Sequence, residues 1–320
     1  MEHKKPRLSI VVGVLNQFEL AEKTIHMMVD NLDHPEEVEL IAIDNGSDEN
    51  FGAYMMRDTK DPFKQLESAV CRRNEKNTGN YPMFKQGCDM AKGDVIAFLH
   101  SDVFVYEKGW DTKVLAQFDA NESLGLVGFI GSTEIDNWGG RGGGTHSNMQ
   151  GHTMYGETRQ WFGSEAKIHG RQDRGFIIDG SVVDGCVMIF RKSVLEKIEV
   201  IETLPPHHFY DRIMSVQVIE AGYKVGILGV EFDHVSGQTA NHESKWQDTS
   251  KEWFYLVRGI TSPQQWAEVN AGWVNQANNP SRGKIPDQWD YCAYLEGERM
   301  FLQTYRDLKH LVPMVYGRKI

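Results

Sequence analysis

Leu8 to Leu15, LSIVVGVL, is a nearly continuous apolar run rich in β-branched residues. A parallel strand covered by helices on both faces has this pattern, because neither face meets water. Working outward, Gln17 to Leu32 sets Leu20, Ala21, Thr24, Ile25, Met28 and Leu32 at helical spacing, and Asp33-His34-Pro35 closes the segment. Val38 to Ile43 (VELIAI) predicts a second strand, running directly into Asp44-Asn45-Gly46-Ser47-Asp48. The alternation continues with a helical stretch, Tyr81 to Ala91, a turn at Lys92-Gly93-Asp94, and a strand, Val95 to Leu99, followed by His100-Ser101-Asp102. Leu124 to Ile130, Cys186 to Phe190 and Val225 to Phe232 read as further strands, and His208 to Ala221 as a helix stopped by Gly222. Such an order predicts an α/β fold with a mainly parallel central sheet and flanking helices, its ligands beyond the carboxyl ends of the strands. That rule singles out Asn16, Asp44 to Asp48, and His100 to Asp102.

The chain has 320 residues, 40% hydrophobic and 25% charged, which fits an ordinary globular protein. Its net charge of −11 argues against a duplex-wrapping protein, since phosphate binding relies on Lys and Arg. A small anionic ligand in a local pocket stays compatible with that balance. The basic run His3, Lys4, Lys5 and Arg7 is short and reads as a solvated leader. No apolar run reaches the ~18 residues that span a bilayer, and no signal-peptide pattern opens the chain. Cys71, Cys88, Cys186 and Cys292 lie far apart without a Cys-x-x-Cys pair, so reduced thiols and a cytoplasmic location are expected.

Two stretches break the alternation. Between Ile135 and Gly163 glycine crowds a polar segment, with Gly139, Gly140, Gly142, Gly143 and Gly144 within six positions; loops of this kind are lids, binding loops or passive insertions. After about Thr239 the chain turns to Gln, Asn and Trp, with Trp246, Trp253, Trp266, Trp273 and Trp289 in the last quarter. Ser262-Pro263-Gln264-Gln265 reads as a capping box with proline at the first helical position. We therefore expect a domain over residues 1–238, containing the loop 135–163, and a mainly helical extension over 239–320. Its tryptophans would pack it onto the sheet domain, with one or two free to stack on sugar rings.

Several polar residues are placed for chemistry. Asp102 follows a buried strand, where a carboxylate holds a divalent cation and the cation a diphosphate. Asp44 and Asp48 end another strand in a turn; each fits a base or ribose contact, and each also fits a plain turn or capping aspartate. Asp211 lies early in its helix, where the dipole favours an acid whatever its function. His234, in Phe232-Asp233-His234-Val235-Ser236-Gly237, is a natural nitrogen donor if a carboxylate-held metal is near, and otherwise a structural histidine.

Taken in order, these motifs resemble the family 2 glycosyltransferases of the A-type nucleotide-diphospho-sugar transferase fold. The resemblance rests on Ser9-Ile10-Val11-Val12 with Asn16, Ile43 to Asp48, Asn77-Thr78-Gly79-Asn80, Lys92 to Asp102, Val183 to Arg191, Phe209-Tyr210-Asp211, Glu220 to Val225 and the late His234. It covers roughly residues 7–239 and leaves the tail unmatched. It implies that Val14, Asn16, Asp44, Asn45, Ser47, Asp48, Asn77, Gly79 and Ser101 frame the nucleotide. Asp102 would be the surviving acid of the Asp-x-Asp metal motif, with His234 and His100 as further ligands. Asp211 matches the catalytic base of inverting members, and Asp184, Gly185 and Trp138 would face the acceptor or donor sugar.

Two residues depart from the family pattern. His100 stands where many members carry the first acid of the metal motif, and Tyr210 where many carry Glu before the catalytic Asp. An imidazole suits a transition metal, so Mn²⁺ is expected over Mg²⁺ if His100 ligates; a water-mediated or structural role is the alternative. The implied reaction is inverting transfer from a nucleotide-diphospho-sugar, UDP-linked by resemblance, to an acceptor hydroxyl. The acceptor is open among glycan, lipid-linked saccharide, protein, small molecule and modified nucleobase. A nucleotidyltransferase of similar fold and a degenerate glycan- or partner-binding domain are the competing readings.

Overall fold

β1 (Leu8–Val14) alternates its side chains between two cores: Leu8, Ile10, Val12 and Val14 enter one, Val11 the other. β2 (Val38–Asp44) and β4 (Val95–His100) obey the same period of two, Val95, Ala97 and Leu99 facing the first core and Ile96 and Phe98 the second. α1 (Phe18–Asp30) covers the first face, burying Ala21, Thr24, Ile25, Met28 and Val29 at i, i+3, i+4, i+7 and i+8. α2 (Phe51–Met55) is a short turn beyond β2, whose N-cap Asn50 accepts from the Ala53 N–H. β3 (Ser68–Arg73) follows at the sheet edge, and α3 (Asn80–Met90) lies on the second face. β5 (Val103–Val105), α4 (Trp110–Ala120) and β6 (Leu124–Gly128) complete the first half. The computed structural model describes residues 5–57, 62–136, 154–155, 157–162, 165–169, 175–198, 205–235, 244–262, 264–265, 289–305 and 314–316.

The large sheet runs Phe176–Gly180, Lys224–Leu228, β6, Val187–Arg191, β4, β1, β2, β3. Four of its pairings are parallel and three antiparallel, so the sheet is mixed, with parallel pairing in the majority as the sequence predicts. The reason lies in the excursion after β6. The chain leaves the sheet at the carboxyl end of β6 and returns through the turn Asp184-Gly185-Cys186, whose first residue donates its N–H to Ile130 O at 2.9 Å. It therefore re-enters from the same end, and Val187–Arg191 must run against both neighbours.

A second sheet, Glu165–His169, Glu157–Phe162, Glu231–His234 and β5, lies at that end. Two expectations are corrected by it. Part of the glycine-rich stretch 135–163 forms strands, among them Glu157–Phe162 paired with Glu231–His234; Gly139 to Gly144 and Trp138 lie outside the described residues. The single strand expected over Val225 to Phe232 is two, Lys224–Leu228 in the large sheet and Glu231–His234 in the small one. The break at Gly229 is held from both sides, its N–H donating to Gly175 O at 2.9 Å and its carbonyl accepting from Lys113 Nζ at 2.7 Å.

The helix Tyr210–Glu220 buries every residue from Tyr210 to Val216, because the sheet lies on one side and the C-terminal helices on the other. Those helices, Ser244–Arg258 and Trp289–Thr304, pack together around Trp253, Phe254, Cys292 and Ala293. Trp253 thus packs the extension onto itself. Phe301 and Tyr294 join the extension to Phe209 at ring separations of 6.0 and 5.1 Å. The extension also holds a strand, Met314–Tyr316, parallel to Glu134–Asp136. The expected capping box is present in shifted form: Ser262 Oγ accepts from Gln265 N at 3.2 Å, while Gln265 Oε1 reaches Thr261 N at 2.7 Å. No helix among the described residues is long and apolar enough to cross a membrane. None of the four cysteines forms a disulfide.

Candidate active site

Strand register assembles the site. Alternation along β4 turns His100 to the same face as Phe98 and Ile96, the face that carries α3 and the helix Tyr210–Glu220. Pairing of Glu231–His234 with β5 sets His234 opposite Val103, and Val235 N donates to Asp102 O at 2.9 Å. His100, Asp102 and His234 consequently bring one ligand atom each within 4.8 Å of one another. Asp102 Oδ1 is buried without a hydrogen-bond partner; His234 Nε2 is 3.5 Å away and His100 Nδ1 4.0 Å.

Asp184, Cys186 and His234 form a second such group within the same 4.8 Å limit, so His234 belongs to both. Asp184 Oδ1 accepts from Cys186 N at 2.9 Å. Asp211 is nearly buried, its Oδ1 accepting from Arg212 N at 2.8 Å and Arg212 Nη1 at 3.2 Å. Its Oδ2 accepts from Gly185 N at 3.3 Å. Gly185 O accepts from the Tyr210 hydroxyl at 3.1 Å, and that hydroxyl lies 2.6 Å from His100 Nε2. Asp211 and Asp102, separated by more than a hundred residues in sequence, are therefore joined by an unbroken chain of contacts.

Electrostatics follow from burial. Desolvation lowers the His100 pKa to about 4; Asp102 opposes this, His234 adds to it and Asp211 opposes it. For Asp102 burial acts to raise the pKa, but His234 and then His100 outweigh it, leaving the carboxyl below its ordinary value. Burial, reinforced by Asp211, holds the Tyr210 phenol well above its usual range, so it stays protonated. The group is a neutral imidazole, an ionised carboxylate and a second imidazole, which suits a divalent transition metal.

Beside it, at the ends of β1 and β2, lies the second half of the expected site. Asn45 N donates to Val14 O at 2.7 Å, locking the two strand ends together. Asp44 is fully buried and accepts from Ser47 N at 2.9 Å and Phe51 N at 3.1 Å, with Arg73 Nε 3.5 Å away; its carboxylate shapes the turn. Ser47 Oγ accepts from Asn16 N at 2.8 Å, and Asp48 N donates to Asn16 Oδ1 at 2.9 Å. Asn45 Nδ2 donates to Asn77 Oδ1 at 3.0 Å and Gly79 O at 3.3 Å, while Asn45 Oδ1 accepts from Thr78 Oγ1 at 2.9 Å. Ser101 O accepts from Thr24 Oγ1 at 2.7 Å, fixing the bend between His100 and Asp102. Gly13 of β1 pairs with His100 of β4, so the two halves share one sheet end. Among the described residues the non-glycine positions with positive φ are Asn16 (49°), Gln17 (45°) and Phe209 (64°), and all three border this region. Residues held in that conformation concentrate at functional sites.

Sequence reasoning missed four participants. Lys245, from the extension, donates to Gly46 O at 2.6 Å and pairs with exposed Asp48 at 2.7 Å. Arg73 Nη2 donates to Ser47 O at 2.8 Å. Arg212 adjoins Asp211, and Cys186 faces His234. Only Cys186 lay inside a recognised motif, and Arg212 directly follows one; nothing near Lys245 or Arg73 marks them.

The large sheet with flanking helices, with acids and histidines gathered beyond its strand ends, is consistent with the A-type glycosyltransferase fold. The family model for glycosyl transferase family 2 matches residues 9–199, and the chain belongs to that family; it is a glycosyltransferase. The mannosyltransferase PcManGT from Pyrobaculum calidifontis, solved in complex with GDP-Man and Mn²⁺, has a similar structure: TM-score 0.51 at 11% identity, over 95% of this chain and 89% of that one. At that identity the likeness speaks for the fold. No curated protein sequence matches the chain.

Proposed function

We propose that this glycosyltransferase moves a sugar, with inversion, from a nucleoside-diphosphate sugar to an acceptor hydroxyl, with Asp211 as general base. The observation that supports this reading is the contact chain from Asp211 through Gly185, Tyr210 and His100 to Asp102, which links the candidate base to the candidate cation ligands. Asp102, His234 and His100 would hold a divalent cation, the unsatisfied buried Asp102 Oδ1 being the fitting donor. Such a cation supplies positive charge for a diphosphate leaving group, and the two imidazoles favour Mn²⁺ over Mg²⁺.

The chain's own residues divide the remaining work. Val14, Asn16, Asn45, Ser47, Asp48, Asn77, Gly79 and Ser101 shape the nucleotide side, Asp44 acting from within the turn it caps. Asp184 and Gly185 and, by resemblance, Trp138 would face the acceptor or donor sugar. Asp211 removes the acceptor proton as the hydroxyl attacks the anomeric carbon from the face opposite the diphosphate. The unit over 1–238 is catalytic, and the extension over 239–320 packs on it or binds the acceptor. A cytoplasmic location fits four cysteines that form no disulfide.

The donor is a UDP-sugar by resemblance. GDP-mannose belongs in the test because the mannosyltransferase of like fold was solved with it. The protein is incubated with Mn²⁺, water or simple sugar acceptors, and a panel of UDP- and GDP-sugars, and nucleoside diphosphate is quantified. Release with one donor, lost in Asp102→Ala, is expected. Pyrophosphate release from a nucleoside triphosphate would instead mark a nucleotidyltransferase, and binding of a glycan without turnover a non-catalytic domain.

A further inference from the structure

The two departures from the family pattern, His100 and Tyr210, touch each other. The Tyr210 hydroxyl has one proton to give and two lone pairs to receive with. Gly185 O, 3.1 Å away, can only accept, so the phenol proton goes there. The Asn80 side chain also hydrogen-bonds the phenol. With the phenol proton directed to Gly185 O, His100 Nε2, at 2.6 Å, is placed to donate its own hydrogen to the Tyr210 oxygen. A neutral imidazole protonated at Nε2 carries its lone pair on Nδ1.

The other side of the ring agrees with that assignment. Nδ1 lies 4.0 Å from Asp102 Oδ1, too far for the hydrogen bond that an Nδ1–H would make to that buried oxygen. A lone pair and a carboxylate oxygen face each other, with His234 Nε2 completing the group at 3.5 Å from the same oxygen. This arrangement is unfavourable with nothing between the atoms and favourable with a cation there.

We propose that Tyr210 is a positioning residue that holds His100 in its Nε2–H tautomer, presenting Nδ1 beside Asp102 and His234 so that the cation seat is nitrogen-bearing and selects Mn²⁺ over Mg²⁺. The replacement of acid by histidine at 100 and the tyrosine at 210 are in this view one coupled change. Hydrogen-bonded partners behind a ligating histidine fix its tautomer and basicity, and their loss typically weakens metal binding about 10- to 100-fold. The proposal rests on the cation seat named under the proposed function.

The test uses the full chain with ¹⁵N-labelled histidine. Two-bond ¹H–¹⁵N correlation spectra of the metal-free protein, assigned through His100→Gln, report the His100 tautomer directly and require no further variant. The Nε2–H form is expected, and Mn²⁺ should broaden His100 and His234 signals at concentrations where Mg²⁺ perturbs neither. Tyr210→Phe should lose the tautomer preference and bind Mn²⁺ at least about tenfold more weakly. An Nδ1–H tautomer in the parent overturns the proposal, as does a Tyr210→Phe protein that keeps both tautomer and Mn²⁺ affinity. A parent with the Nε2–H tautomer that takes up no Mn²⁺ sinks the cation seat itself, and the proposal with it.

Discussion

Asp211 and His100 show what single side chains contribute. Asp211→Asn keeps the shape and most acceptor contacts of the carboxylate while removing its capacity to take a proton. Turnover should fall about 10²- to 10⁴-fold with donor affinity little changed, as read from nucleoside diphosphate release and titration calorimetry. Equal losses in both would point to a purely structural aspartate. His100 gives a pH signature in the metal-free protein. Burial depresses its folded pKa to about 4, below the unfolded value of 6.5. As the pH falls between those values the unfolded chain takes up the proton first, so stability is lost across that window and levels off beneath it. The loss should reach about 2 kcal/mol, allowing for the partly exposed ring. Urea denaturation from pH 7 to 4 should show a shallower decline in His100→Gln; identical slopes would contradict the assignment.

At the scale of elements, turns decide the geometry of the nucleotide side. Gly46 has φ +87°, and a Cβ there would sit 2.4 Å from the Lys76 carbonyl carbon. Gly222 has a similar φ of +84° but open space around it. Gly222→Ala should therefore cost about 1 kcal/mol, the left-handed backbone alone. Gly46→Ala should cost about 2 kcal/mol or more, since the 76–77 backbone must also move. Thermal denaturation of the two variants separates close approach from conformation. Much at this scale was legible beforehand: LSIVVGVL, VELIAI and the Val95 strand are buried on both sides, and α1 shows the periodicity read from its sequence. The Val225 to Phe232 strand was misread because apolar runs do not record where a chain changes sheets; Gly229 was the available clue. β3 was missed for a different reason, as an edge strand with exposed side chains carries little hydrophobic signal.

For the molecule as a whole, the extension is the element whose removal should be felt at the site. Phe301 is fully buried and packs on Phe209, whose left-handed backbone starts the helix that presents Tyr210 and Asp211. Phe301→Ala should cost about 3–5 kcal/mol and loosen that junction. Limited proteolysis should then cut within the extension faster than in the parent, and turnover should fall although no site residue is changed. Unaltered proteolysis together with unaltered turnover would separate the extension from catalysis. Lys245 shows the same dependence from the other side, since it reaches Gly46 O and Asp48 across nearly two hundred residues of sequence.

The sequence by itself determined the strand cores, the helix faces, the family and the identity of the acids and histidines at strand ends, because hydrophobic period and local turn chemistry are properties of neighbouring residues. Only the tertiary structure decided that the sheet is mixed, that His234 comes to Asp102 through a second sheet, and that Tyr210 meets His100. Those outcomes depend on pairing register and on the return path of the chain after β6, which bring together residues about 90 to 130 positions apart. No local pattern encodes such distances; the burial of both cores at once does.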